Sequence, residues 1–244
     1  MTVSEQQVSS FSAPPQTINC DGMLFDMDGT IIDSTEAVIK NWQIIGKEIG
    51  VDPEVILATS HGRRSIDVLK IYEPKLANWD YIGEKEGRIP REYGADAVEI
   101  PGSRVFLDEL EKQSIPWAIV TSGTRPLVTG WLDVLKLAHP KNLVVAEDVE
   151  NGKPDPACYL LGRKKLALSK EDPSIVVFED APAGVKSGKA AGFKVVALHT
   201  THTLEQLKEA GADFIVRDMR SVSLKAWDRA TGEAQLEISD ALVW

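Results

Sequence analysis

Two aspartates separated by one residue follow a short apolar run near the start of the chain. In the segment MLFDMDGT (residues 23–30), the apolar residues predict a buried strand and the glycine predicts its end. Because alternate strand residues share a face, Asp26 and Asp28 can point at the same place. Two carboxylates this close repel each other unless a cation or a shared proton intervenes. The segment therefore suggests a carboxylate nucleophile, a proton-transferring acid and a Mg²⁺ ion.

Three further groups of polar residues come just after predicted strands or between predicted elements. They are Thr121-Ser122-Gly123 after residues 117–120, Lys153 within NGKPDP (residues 151–156), and Glu179-Asp180 after residues 176–178. In a parallel sheet, ligands bind at the carboxyl ends of the strands. We therefore expect all these groups to meet Asp26 at one edge of the sheet.

Each group taken alone also has an ordinary structural explanation. Asp and Gly favour turns, and a hydroxyl after a strand is usually a helix cap. Most lysines are solvated, and Glu179-Asp180 could cap the helix that follows. The order and position of the four groups together make coincidence a poor explanation.

The residue types fit phosphoryl transfer. Asp26 could attack phosphorus and form an aspartyl-phosphate. Asp28 could protonate the leaving alkoxide and then deprotonate the attacking water. Thr121, with Ser122 and Gly123, could bind phosphoryl oxygens, and Lys153 could offset the negative charge and keep Asp26 ionised.

Oxygen ligands are what Mg²⁺ requires, commonly a few carboxylates with phosphate and water. Asp26 and Asp180 are the best ligand candidates. Glu179 and the main-chain carbonyl of Asp28 complete the predicted set.

Helices and strands alternate strictly after residue 101, which predicts an α/β fold with a parallel sheet. The first strand is expected from about Cys20 to Asp26. Residues 33–100 instead carry apolar residues at helical spacing, with a helix that stops at Gly50, and are predicted to form a helical insert. The predicted core is thus 18–32 with 101–244, residues 1–17 are a predicted disordered tail, and residues 225–237 a terminal hairpin.

The composition of the chain argues against several classes of binding partner. A net charge of −10 argues against broad nucleic-acid or anionic-membrane binding, and we find no apolar run long enough to span a membrane. The 2 cysteines, Cys20 and Cys158, are too few for a disulfide framework or a Cys-rich zinc site and favour a reducing compartment.

The ordered set of Asp26-Met27-Asp28-Gly29-Thr30, Thr121, Lys153 and Glu179-Asp180 resembles the haloacid dehalogenase superfamily. The resemblance covers the chain from about residue 18 onward. It implies a Rossmann-like core with an α-helical cap inserted after the first motif. In that superfamily the second acid of the first motif marks phosphatases and phosphomutases, so the presence of Asp28 disfavours dehalogenases and transport ATPases.

Several longer strings are similar to fungal glycerol-3-phosphatases and to the related 2-deoxyglucose-6-phosphate phosphatases. These strings are SHGRRS (60–65), EGRIP (86–90), WAIVTSGT (117–124) and VFEDAPAG (177–184). The similarity implies a cytoplasmic enzyme that acts on a small phosphorylated polyol or sugar. In the predicted cap, Arg63 and Arg64 are candidate substrate-binding residues, although we expect at least one of them to be solvated. His61 is expected to cap or pack.

The first hypothesis is a Mg²⁺-dependent phosphatase that hydrolyses glycerol 3-phosphate, and we expect a monomer. Three alternatives remain: a 2-deoxyglucose-6-phosphate or other hexose- or polyol-phosphate phosphatase, a phosphomutase of the β-phosphoglucomutase type, and a non-enzymatic phosphoryl-binding regulatory module. The last ranks lowest because every catalytic position is filled.

Overall fold

The computed structural model describes residues 10–60 and 62–243 of the chain. Within these residues the strands are β1 (Ser10–Phe11), β2 (Gln16–Cys20), β3 (Gly22–Phe25), β4 (Ile32–Asp33), β5 (Val98–Glu99), β6 (Trp117–Val120), β7 (Asn142–Val144), β8 (Ile175–Glu179), β9 (Lys194–Leu198), β10 (Phe214–Val216), β11 (Val222–Asp228), β12 (Glu233–Ile238) and β13 (Leu242–Val243). The α-helices are α1 (Thr35–Ile49), α2 (Pro53–Ser60), α3 (Ser65–Tyr72), α4 (Trp79–Tyr93), α5 (Ser103–Gln113), α6 (Arg125–Leu135), α7 (Ala157–Lys165), α8 (Pro182–Ala190) and α9 (Leu204–Glu209). The predicted α/β fold class is confirmed.

The centre of the fold is a six-stranded sheet in the order β10-β9-β8-β3-β6-β7. All its neighbouring strands are parallel, as helix–strand alternation predicts. In this order β3 lies between β8 and β6, so that Leu24 pairs with Val177 on one side and with Ala118 on the other. The first strand in the core is therefore central in the sheet.

Residues of β3 alternate between two apolar layers. Met23 and Phe25 belong to one buried cluster, and Leu24 belongs to another. Phe25 stacks on Phe178 of β8 with ring centroids 4.6 Å apart. Burial on both faces is typical of a parallel sheet covered by helices, and it holds the carboxyl end of β3 in a fixed place.

Helices α1 to α4 follow β4 and precede β5 in the sequence, and they form a helical layer. β4 and β5 pair antiparallel where the chain leaves the sheet region and returns to it. Trp42, Ile45 and Ile56 belong to a separate apolar cluster of this layer. α1 ends where predicted, because Gly50 adopts a left-handed conformation (φ 71°). α2 is a helix that the sequence pattern did not indicate. The division into a core (18–32 and 101–244) and a cap (33–100) stays a prediction.

The predicted tail of residues 1–17 is corrected from Ser10 onward. β1 pairs antiparallel with β13, and β2 joins β12 and β11 in a three-stranded antiparallel sheet. The predicted hairpin near the end of the chain is thus confirmed as β11 and β12. Cys20 belongs to β2 and not to the first core strand, which begins at Gly22. Residues 1–9 lie outside the described residues.

Cys20 and Cys158 are buried free thiols. Among the helices of the described residues, none is both long enough and apolar enough to cross a membrane.

Candidate active site

The segments that follow three neighbouring strands carry predicted site residues to one edge of the central sheet. Asp26 follows β3, Thr121 follows β6, and Asp180 follows Glu179 at the end of β8. Because β3 lies between β6 and β8, these carboxyl ends are adjacent. Lys153 reaches the same edge from the segment between β7 and α7.

Lys153 is the centre of a buried ionic cluster. Its Nζ donates hydrogen bonds to Asp26 Oδ1 at 2.7 Å, to Glu179 Oε1 at 2.6 Å and to the Val120 carbonyl at 3.2 Å. Burial alone would lower the pKa of Lys153, but the charges of Asp26 and Glu179 outweigh it and raise the pKa above its usual range. Burial raises the pKa of Asp26 to about 7, although Lys153 opposes the rise.

Asp28 sits at the start of the segment that leads to α1. Ser34 Oγ donates a hydrogen bond of 2.5 Å to Asp28 Oδ1. Burial raises the pKa of Asp28, while the Ser34 hydrogen bond and the Lys153 charge act in the opposite direction. A raised pKa favours the protonated form, which a general acid needs before it can give a proton to a leaving group.

Asp180 packs directly against Gly29 of the first motif. Thr201 Oγ1 donates to Asp180 Oδ2, and Thr30 Oγ1 donates to Asp180 Oδ1 at 3.4 Å. Burial, reinforced by the charges of Glu179 and Asp26, raises the pKa of Asp180 well above its usual range. The two hydroxyl donors and the glycine fix where this carboxylate lies.

The acids at this edge fit a divalent cation. Asp26, Glu179 and Asp180 are buried, and each offers a carboxylate oxygen within 4.8 Å of the others. Lys153 supplies one positive charge against these three acids, and such crowding raises carboxyl pKa values unless a cation is bound. Hard oxygen donors in a buried acidic group are typical of Mg²⁺ sites.

Glu179 differs from the other two acids in its partners. Its Oε1 accepts hydrogen bonds from Lys153 and from Tyr159 Oη at 2.9 Å, and its Oε2 accepts from the N–H groups of Asp180 and Ala181. Both oxygens are thus engaged by the protein. The carboxylate of Asp28 is not part of the three-acid group, so its predicted metal contact would have to come from its main-chain carbonyl.

Thr121, Ser122 and Gly123 line one cavity together with Asp26 and Asp28. Thr121 Oγ1 accepts a hydrogen bond from the Gly123 N–H at 3.0 Å, which leaves its own proton available to a phosphoryl oxygen. Ser122 Oγ donates to the Gly62 carbonyl at 2.9 Å and so ties this loop to the helical layer.

The two predicted substrate-binding arginines have different surroundings. Arg63 lines the cavity and is exposed. Arg64 is buried, pairs with both oxygens of Asp67, and donates to the carbonyls of Ala146, Val149 and Glu150. The substrate-binding prediction is therefore corrected for Arg64, whose guanidinium joins the helical layer to the segment before Lys153. His61 lies outside the described residues.

Sequence reasoning missed several residues of the helical layer that line the cavity. Glu86 is buried, and its carboxylate accepts hydrogen bonds from Ser65 Oγ at 2.5 Å and from the Thr124 N–H at 2.8 Å. Burial raises the pKa of Glu86. The sequence did contain a sign that Glu86 is buried, because Glu86 falls on the same face of α4 as the buried Ile82 and Ile89.

Comparison with known proteins identifies the family of the chain. Residues 23–198 match the family model described as haloacid dehalogenase-like hydrolase. The chain belongs to this family. The match begins in β3 and ends at the close of β9, so it includes the four groups of polar residues and the helical layer between them.

Relatives within the haloacid dehalogenase-like family include several named phosphatases. Glycerol-1-phosphate phosphohydrolase 1 of Saccharomyces cerevisiae is 40% identical over 237 residues, which cover 93% of this chain and 94% of that protein. 2-Deoxyglucose-6-phosphate phosphatase 1 of the same yeast is 39% identical, and the match covers 84% of this chain and 91% of that protein. The predicted enzyme class, a phosphoric monoester hydrolase, is confirmed.

A solved structure of a hydrolase from Pseudomonas syringae has the same fold. It superposes with a TM-score of 0.70 at 25% sequence identity, and the match covers 81% of this chain and 94% of that one. The similarity supports the predicted parallel-sheet core of the haloacid dehalogenase-like type.

Proposed function

We propose that the protein is a Mg²⁺-dependent phosphatase that releases inorganic phosphate from a small polyol or sugar phosphate. Glycerol 3-phosphate is the first candidate substrate. The observation that supports this most is the pairing of Asp26 with Lys153 at 2.7 Å beside a cavity that Asp26 lines together with Asp28 and Thr121. A cytoplasmic location and a monomeric state belong to the same proposal.

In the first step, a carboxylate oxygen of Asp26 attacks phosphorus and the bond between phosphorus and the ester oxygen breaks. Asp28 gives its proton to the leaving alkoxide, so that a neutral alcohol departs. Lys153 and the Thr121 hydroxyl stabilise the negative charge on Asp26 and on the phosphoryl oxygens.

In the second step, Asp28 takes a proton from a water molecule that attacks the aspartyl-phosphate. The bond between phosphorus and the Asp26 oxygen breaks. Inorganic phosphate is released, and the Asp26 carboxylate is regenerated. The hydrogen bond from Ser34 holds Asp28 in place for both proton transfers.

Asp26 and Asp180 are the residues proposed to hold Mg²⁺, with the Asp28 carbonyl and Glu179 as further candidates. When bound, the ion would neutralise negative charge on the carboxylates and the phosphoryl group. Because both Glu179 oxygens are already hydrogen-bonded, we assign Glu179 chiefly to orienting Lys153.

Two observations support a small substrate. The cavity has a volume of about 100 Å³, which is below the ~300–1,000 Å³ of typical drug-sized pockets. The yeast relative that is 40% identical carries the name of a glycerol phosphate phosphohydrolase. The 2-deoxyglucose-6-phosphate phosphatase among the relatives makes a hexose phosphate the second candidate.

The test is phosphate release from glycerol 3-phosphate, 2-deoxyglucose 6-phosphate and hexitol phosphates, with Mg²⁺ and with excess EDTA. We expect the highest kcat/KM for glycerol 3-phosphate and no turnover in EDTA. Full activity in EDTA would refute the metal assignment, and a large preference for hexose phosphates would refute the glycerol assignment. Isomerised sugar phosphate without free phosphate would indicate a mutase instead.

A further inference from the structure

Asn41 stands out among the buried polar residues of the cavity. Its side chain is on α1, is only 7% exposed, and lines the cavity with Asp26 and Asp28. An asparagine amide can donate two hydrogen bonds and can also accept. Within residues 10–60 and 62–243, the Asn41 side chain has no hydrogen-bond partner, whereas the other buried polar residues of this cavity each have one.

The Asn41 amide also opens onto the cavity rather than into protein. Among the described residues, three side chains have a fully enclosed polar atom without a hydrogen-bond partner. They are Tyr81, Thr124 and Trp131. Since Asn41 is not in that group, its amide atoms remain accessible, and the cavity is the space that they face. A buried amide is costly unless a partner satisfies it, so a ligand group is the expected partner.

The position of Asn41 on α1 determines which part of a substrate it can reach. Ser34, next to the start of the helix, holds Asp28, and Asn41 lies seven residues later. Seven residues of α-helix advance roughly 10 Å along the axis. Asn41 therefore lies further along α1 than the contact between Ser34 and Asp28, where it could meet the carbon chain of the ester.

The residues of α1 that line the cavity within one turn of Asn41 are apolar, namely Val38 and Trp42. Glu86, on α4, has both carboxylate oxygens committed to Ser65 and Thr124. A neutral donor-acceptor group between apolar side chains matches a hydroxyl group, which likewise both donates and accepts.

We infer that Asn41 is a specificity residue that hydrogen-bonds a hydroxyl of the substrate's carbon chain. The inference rests on the proposed phosphatase function and narrows its substrate class to hydroxylated esters. A plain alkyl chain would leave this amide without a partner.

The experiment compares two phosphate esters of equal chain length, one with hydroxyls and one without, in wild type and in Asn41→Leu. For a three-carbon substrate the pair is glycerol 3-phosphate and propyl phosphate. If the substrate panel selects a longer ester, that ester and the alkyl phosphate of its length replace them. We expect Asn41→Leu to lower kcat/KM for the hydroxylated ester about tenfold and to leave the alkyl ester within about twofold.

Gln43→Leu is the matched control, because it removes the same amide from an exposed position of the same helix. It should leave both substrates unchanged. Equal losses on the two esters in Asn41→Leu would mean that Asn41 only packs, and no loss on either would also overturn the inference. A wild-type protein that prefers the alkyl ester would overturn it as well. The proposed function fails separately, if wild type releases phosphate from no ester at all.

Discussion

Gly29 lies against the carboxylate of Asp180, and a Cβ at Gly29 would overlap that carboxylate. The backbone of Gly29 also has φ +85°, a conformation that L side chains rarely adopt. The glycine of the first motif therefore both turns the chain after Asp28 and leaves room for an acid contributed by the segment after β8.

Gly29→Ala should displace Asp180 and weaken Mg²⁺ binding. Gly192→Ala is the matched control, because Gly192 has a similar φ of +82° but no other group lies within 4 Å of the point where its Cβ would be. In Gly29→Ala, the Mg²⁺ concentration that gives half-maximal stabilisation of the fold should rise at least about tenfold. In Gly192→Ala it should not change. Thermal unfolding across a Mg²⁺ titration measures this, and equal shifts in the two variants would contradict it.

Asp28→Ala should slow both chemical steps by about 10²–10⁴-fold on a polyol phosphate. p-Nitrophenyl phosphate separates the steps, because its leaving group needs little help from an acid. With this ester we expect a rapid release of one nitrophenolate per enzyme, followed by slow turnover as the aspartyl-phosphate awaits its general base.

Asp26→Asn is the control for the nitrophenolate burst, since it lacks the nucleophile and should give none. Stopped-flow absorbance follows the release directly. An Asp28→Ala enzyme that turns over linearly at the wild-type rate would remove Asp28 from the mechanism.

Arg63→Ala and Arg64→Ala should differ in their effect on the stability of the fold. Arg64 is buried and joins Asp67 to three main-chain carbonyls, so its loss should lower the free energy of unfolding by about 3 kcal/mol. Arg63 is exposed, and its loss should change stability by no more than ~0.5 kcal/mol.

Kinetics complete the comparison of the two arginines. If Arg63 meets the substrate, Arg63→Ala raises KM with an unchanged melting temperature. Urea unfolding and steady-state kinetics on the same preparations test both statements, and a stable Arg64→Ala protein would contradict the structural role.

Cys20 should resist thiol reagents in the folded protein. Burial, helped by the charge of Asp21, raises the pKa of Cys20 to about 12, and the thiolate is the reactive form. Cys158 is also buried, and burial raises its pKa. We expect Ellman's reagent to label neither thiol quickly at about pH 8 and to label both in urea. Rapid labelling of the native protein would contradict this.

The raised pKa of Cys20 also affects stability at high pH. The unfolded thiol ionises near pH ~8.5, well before the folded one, so the unfolded state loses its proton first. The stabilising contribution is therefore complete below pH ~8.5 and is lost as the pH rises towards the folded pKa. The urea midpoint should fall between about pH 8 and pH 10, and by less in Cys20→Ala than in wild type.

The predicted core and its site followed from local patterns. Apolar runs located the strands that end near Asp26, Thr121 and Glu179, and each strand is parallel to its neighbours. The order of the strands in the sheet could not be predicted from local sequence patterns, because it depends on how helices pack on the two faces of the sheet. That order is what makes the ends of β6, β3 and β8 adjacent.

Pairing between distant segments explains the error at the start of the chain. Residues 10–17 (SFSAPPQT) contain two Ser and two Pro and have little intrinsic preference for strands. Ser10–Phe11 is nevertheless a strand because it pairs with Leu242–Val243, and Gln16 pairs with Ile238. Tertiary partners override local propensity in such cases.

Arg63 and Arg64 show a second limit of sequence reasoning. They are adjacent residues of one type, and only the backbone direction at the start of α3 decides which guanidinium enters the protein. Glu86 and Asn41 illustrate the reverse case. Each interrupts an apolar helical face, and this pattern could have marked them as residues of a cavity wall.

The pairing of Ser10 with Val243 has a topological consequence. The two ends of the described chain are neighbours, so the backbone is close to a closed ring. A short linker could join them without stretching either strand, and new ends could be opened at the exposed turn between β11 and β12. Such a circularly permuted chain would keep every strand neighbour of the central sheet, although the order in which a ribosome makes the strands would change.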